Sequence, residues 1–104
     1  MTENNYVPKQ FGTMCINNAV VVSTPDSETK PGTLLFQVTF MDIPIGIACT
    51  GSAATLTVSK GDLVTIHNGI AKPAQRSAFA LMLNDISQIS VVVVDYGFTD
   101  CKDL

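Results

Sequence analysis

The sequence of 104 residues contains no tryptophan and a single histidine, and only 14% of it is charged. His67 has no carboxylate or cysteine at ligand spacing, so it offers neither a metal site nor a general base. The three cysteines, Cys15, Cys49 and Cys101, are odd in number and far apart, with no C-x-x-C pair. That excludes a complete disulfide framework; two small buried hydrophobes and one thiol near the C-terminus are expected instead. No apolar run approaches the ~18 residues of a membrane span. No basic segment followed by an apolar one opens the chain, so no signal peptide is expected and the default location is the reducing cytoplasm. Ser52 and Ser77 have no evident base partner, and Gly61-Asp62 does not begin a phosphate-cradling pattern. A non-enzyme without metal or cofactor follows as the expectation.

What is present is apolar: 46% of the residues are hydrophobic, which excludes a disordered chain. The length suits one domain, which buries roughly 60–70% of its unfolded surface. So thin a charge cover implies apolar area hidden in a homo-oligomer, a dimer or tetramer. Six basic residues against nine acidic ones leave a net charge of −3, opposite in sign to most nucleic-acid binders.

Along the chain, 1–13 reads as a flexible arm, 14–94 as the folded domain and 95–104 as an acidic tail. Residues 14–23 turn β-branched and read as a strand. The segment 24–32, with two prolines, a glycine and charges, is a loop. In 33–41, Leu34, Phe36, Val38 and Phe40 alternate with Leu35, Gln37 and Thr39, which puts the first set on the core face. Residues 42–44 turn the chain into a third strand, 45–50. The stretch 51–59 carries a turn or two of helix at most. Lys60-Gly61-Asp62 punctuates before a fourth strand. After a connection at 72–77, residues 78–94 form a fifth strand bent near Asn84-Asp85. Strand order β-β-β-α-β-β in about 80 residues is that of the OB-fold, an all-β five-stranded barrel with a short helix between strands three and four.

The pair Asn68-Gly69 is the strongest short hairpin signal in the sequence. A two-residue turn there would pair 63–67 with a partner that Pro73 interrupts, and proline sits badly inside a paired strand. A bulge is the better reading: Asn tolerates positive φ, Gly69 relieves the kink, and the strand bends as barrel closure requires. Alternation carried through Asn68 places Ile70 on the same side as Val64 and Ile66.

The segment TGSAATLTVSKGDLVTIHNGIAKP resembles bacterial single-stranded-DNA-binding proteins from strand three into strand four. Gly51, Lys60-Gly61, Val64, Ile66, Asn68 and Ile70 match that pattern in turn. The stretch 36–40 (FQVTF) is similar to the family's second strand and 79–92 to its fifth. The chain is also similar to the primosomal replication protein N, a short relative. The resemblance covers about 15–92 and implies non-enzymatic binding of single-stranded DNA or RNA in replication, repair or mobile-element DNA metabolism. The family's base-stacking tryptophans correspond to Pro44 and Thr50 here, and each lost stack is worth ~1–3 kcal/mol per base.

Single-strand binding needs cations and exposed rings. Lys30, Lys60, Lys72 and Arg76 are the candidate phosphate ligands, with Lys30, Lys72 and Arg76 on the loops that flank an OB-fold's binding face. Tyr6 and Phe11 are candidates for stacking. By resemblance, Asp95, Phe98, Asp100, Asp103 and Leu104 echo an acidic tail with an apolar tip that recruits replication or repair proteins. The competing expectation is an OB-fold module that has lost nucleic-acid binding and assembles with proteins.

Overall fold

The computed structural model describes residues 12–93. It contains β1 (Thr13–Val21), β2 (Leu34–Phe40), β3 (Ile43–Cys49), β4 (Leu63–Lys72), β5 (Phe79–Leu83) and β6 (Ile89–Val92). Short 3-10 helices occupy Gly51–Thr55 and Ile86–Gln88. The ladder runs β1-β2-β3-β5-β4, and β4 pairs back onto β1. Five strands thus close into a barrel with the OB-fold order, all antiparallel except β3 with β5. The expected fifth strand is two: β5 pairs with the far half of β4 and β6 with its near half. The break falls at the expected bend, beside Asn84 and Asp85.

Alternation builds the core. Leu34, Phe36 and Val38 of β2 face inward against Cys49, Ile47 and Ile45 of β3, pair by pair in register. Val64, Ile66, Leu81 and Leu83 are fully buried with them. Each such side chain contributes roughly 1.5–3 kcal/mol by leaving water. Phe40 and Phe79 are half-buried against this cluster. Ala53, on the 3-10 helix after β3, also joins it. Ser52 donates to Asp85 Oδ1 (3.0 Å) and accepts from the Ile86 amide (2.9 Å), joining the two helices. Burial pushes the Cys49 thiol up to about 11, because a thiolate would lose its hydration.

Residues 63–72 form one strand, without reversal, and Asn68 has φ 56°. Between the pairs Ile16↔Ile66 and Met14↔Gly69, β4 advances three residues while β1 advances two. The extra residue inverts the alternation, so Gly69 and Ala71 face inward and Ile70 is 45% exposed. This corrects the expectation that Ile70 shares a face with Val64 and Ile66: a bulge changes parity, and continuing the pattern through it does not. Gly69 is needed for room rather than for its φ. A Cβ there would lie 3.1 Å from both Ile66 Cγ2 and Leu83 Cδ2.

A second bulge sits on β1 at Asn18, φ 58°. Each bulge leaves a ladder amide to be satisfied, and the opposing strand supplies the acceptor. The Asn18 amide donates to Thr65 Oγ1 (3.1 Å) and the Asn68 amide to Cys15 Sγ (3.5 Å). Cys15 is therefore exposed on β1, not the second buried cysteine expected; only Cys49 takes that role among the described residues.

Candidate functional site

A groove of about 700 Å³ crosses the outer face of β2 and β3. Its floor follows from the same alternation that fills the core. With Phe36, Ile45 and Ile47 inward, Leu35, Gln37, Gly46 and Ala48 point outward, joined by Ala80 of β5. Gly46 lies opposite Gln37 on one side and Ala80 on the other, so the centre of the floor is low.

Two loops wall the groove: β1–β2 (22–33) through Ser23, Thr24 and Asp26, and β4–β5 (73–78) through residues 74–77. Both are pinned to the floor strands. The Gln37 amide donates to Ser23 Oγ (2.8 Å), and Asp26 exchanges two 2.8 Å backbone hydrogen bonds with Leu35. On the other side the Ala78 amide donates to Pro44 O (2.8 Å). A Cβ on Gly46 would come 3.2 Å from Ser77 Oγ, so glycine lets the β4–β5 loop sit close against β3.

The walls differ in charge. Arg76 lines one wall, is exposed, and has no carboxylate partner among the described residues. Asp26 lines the other. Its Oδ1 accepts from the amides of Glu28 (2.8 Å) and Thr29 (3.1 Å), and its Oδ2 accepts from the Thr29 hydroxyl. These bonds, that from the hydroxyl first, hold its carboxyl below the usual carboxylate range.

Of the expected phosphate ligands, Arg76 lies in the groove wall. Lys30 is exposed on the acidic loop and Lys72 is exposed at the end of β4; neither lines the groove. Lys60 is exposed in the turn before β4, also outside the lining. Tyr6, Phe11, Asp95, Phe98, Asp100, Asp103 and Leu104 lie outside the described residues. Among the described residues no aromatic side chain forms the outward floor; Phe36 contributes to the lining from a buried position. Sequence reasoning missed Asp26, Gln37, Gly46 and Ser77. The available signal was the run of small outward residues in IGIA, which leaves space over a strand pair.

His67 is exposed beside the bulge, and among the described residues no group of three or more His, Cys, Asp and Glu could hold a metal ion. No helix among them is long and apolar enough to cross a membrane. Comparison with known proteins finds no matching family model, no matching curated protein and no matching solved structure.

Proposed function

We propose that this protein binds single-stranded nucleic acid, without catalysis, in the groove over β2 and β3. The observation that carries the reading is the position of that groove: it lies between the β1–β2 and β4–β5 loops of an OB barrel, where such barrels take extended oligomers. Arg76 supplies a cation in the wall with no carboxylate partner among the described residues, and Lys72 is nearby in sequence. The resemblance to single-stranded-DNA-binding proteins over 15–92 supports the same reading, and with it a proposed role in replication, repair or mobile-element DNA metabolism. With no ring from the described residues on the outward floor, affinity rests on phosphate contacts and is modest. Fluorescence anisotropy with a labelled thymidine oligonucleotide tests this. Binding should weaken as salt rises, and Arg76→Ala should flatten the log–log salt slope by about 0.7. Absence of binding at low salt rejects the reading.

A second reading has its own observation. Val20, Leu63 and Val92 lie in register across β1, β4 and β6, with Val20 and Val92 exposed. β6 has β4 on one edge and no strand among the described residues on the other. An apolar row beside an open strand edge is the surface of an assembly module. Light scattering that shows a dimer or tetramer, with no oligonucleotide binding, selects this alternative. The acidic C-terminal residues named above remain the proposed contact for replication or repair proteins.

A further inference from the structure

The groove is electrically lopsided. The β1–β2 loop holds Asp26 and Glu28 against Lys30, a net of −1. The β4–β5 loop holds Arg76 and no acid, a net of +1, and Lys72, outside the lining, lies at the end of β4 just before it. A single strand of nucleic acid is lopsided too, with phosphates along one side and base edges along the other. In a cleft with low-dielectric walls such fields are focused rather than averaged away. The opposite orientation would press phosphates against an ionised carboxylate.

Asp26 also has capacity to spare. A carboxylate offers about four acceptor sites. Glu28, Thr29 and the Thr29 hydroxyl occupy three, which leaves one on Oδ2. These three bonds and the Asp26–Leu35 bridge hold the group in place, so accepting a further hydrogen bond requires little rearrangement. An ionised carboxylate accepts and cannot donate. It therefore favours a base edge with an exocyclic amino group, such as cytosine N4, over thymine, which presents the O4 acceptor at that position and whose one donor, N3–H, lies between two carbonyls that repel a carboxylate.

We infer that the strand lies with its phosphates along the Arg76 wall and its base edges toward Asp26, which makes Asp26 a selector for amino-bearing bases. This rests on the nucleic-acid reading above. The test is anisotropy with labelled oligo(dC) and oligo(dT) of equal length at neutral pH, on the full chain and on Asp26→Asn and Arg76→Ala. The Asn variant keeps an acceptor for the loop amides, and its thermal melt checks that the barrel is intact. The wild-type chain should bind oligo(dC) about three- to tenfold tighter than oligo(dT), the share expected of one charge-assisted hydrogen bond. Asp26→Asn should abolish that ratio while leaving the salt slope unchanged. Arg76→Ala should weaken both oligomers alike and lower the slope. Equal affinity for the two oligomers, or a ratio indifferent to Asp26→Asn, overturns the inference while the nucleic-acid reading stands. No binding of either oligomer overturns both.

Discussion

The chain adopts left-handed backbone at 41–42 and again at 68, and the two places exchange the roles that their residues suggest. Met41 and Asp42 have φ 51° and 66°. They join β2 to β3 as a two-residue loop closed by the pair Phe40↔Ile43, with the positive φ at both central positions that a type I′ hairpin requires. Neither is glycine or asparagine. Asn68-Gly69, the residue pair that such hairpins prefer, lies inside a strand that does not turn. The long-range pairing decides both. β2 and β3 are seven-residue strands whose inward sets match only when the chain reverses at 41–42. A reversal at 68–69 would set Val64 opposite Pro73 and give up the β4 contacts of β1, β5 and β6. The register of a buried face outweighs the ~1 kcal/mol or so that turn chemistry contributes at one position.

The largest expected effect breaks the bulge. Gly69→Val adds branched bulk where even a Cβ would be 3.1 Å from two core side chains. Urea unfolding should show a loss of about 1–3 kcal/mol, the cost of overpacking. At the tip of a solvent-facing hairpin the same change would meet no core, so a loss under about 0.5 kcal/mol would contradict the packing described.

Next is the anchor of the bulge. Gln88 Oε1 accepts from the amides of Asn84 and Asp85, both at 2.9 Å, and its Nε2 donates to Asn68 O at 2.9 Å. Gln88→Ala should destabilise by about 1–2 kcal/mol, through the loss of a capping box and of the bulge's carbonyl partner. Gln88→Glu retains the acceptor and loses the donor, so it should fall between Ala and wild type. If the two variants melt together, the bond to Asn68 is the dominant part of the clamp.

At the hairpin the expected sign reverses. Replacing Met41-Asp42 with Asn-Gly should stabilise by about 1 kcal/mol, because asparagine and glycine take positive φ more readily than Met41 does. In a domain of this size that is about 4–8 °C in Tm. An unchanged or lowered Tm would show that Met41, 80% exposed, contributes something beyond its backbone.

The smallest effect is in acid. Asp85 is held below the usual carboxylate range by the Ser87 hydroxyl first and then by Ser52, and Asp26 by Thr29. A depressed folded pKa stabilises the fold above the unfolded value and ceases to do so as pH falls through the folded one. The Tm should therefore decline below about pH 4. Ser87→Ala should make that decline shallower by freeing Asp85, which sits in the turn that Gln88 ties to the bulge. No change in the acid limb would place Asp85 outside the anchoring network.

These comparisons show what could be read ahead of the structure. The strands, the short helix before Lys60 and the continuity of β4 were legible because alternation and proline placement are local properties. The parity change after Asn68 is also deducible from a bulge, since an inserted residue inverts every later side chain, and unbroken alternation through Asn68 leaves that residue out of the count. The bulge at Asn18 was not marked, because Asn17-Asn18 reads as two polar residues until Thr65 is known to lie opposite. In the groove, Arg76 was found as a loop cation. Asp26 was not, because nothing in the β1–β2 loop shows that it will form a wall facing residues fifty positions away.

By itself the sequence determined which side chains had to leave water. The periodicities of β2, β3 and β5, the small outward residues and the sparse charge are properties of neighbours along the chain. Only the tertiary structure decided where the chain would reverse, which face Ile70 would take, and that an acidic loop and a basic loop would stand across one groove. Those outcomes depend on pairings between distant strands, and closing the barrel selects among registers that local sequence leaves nearly equal in energy.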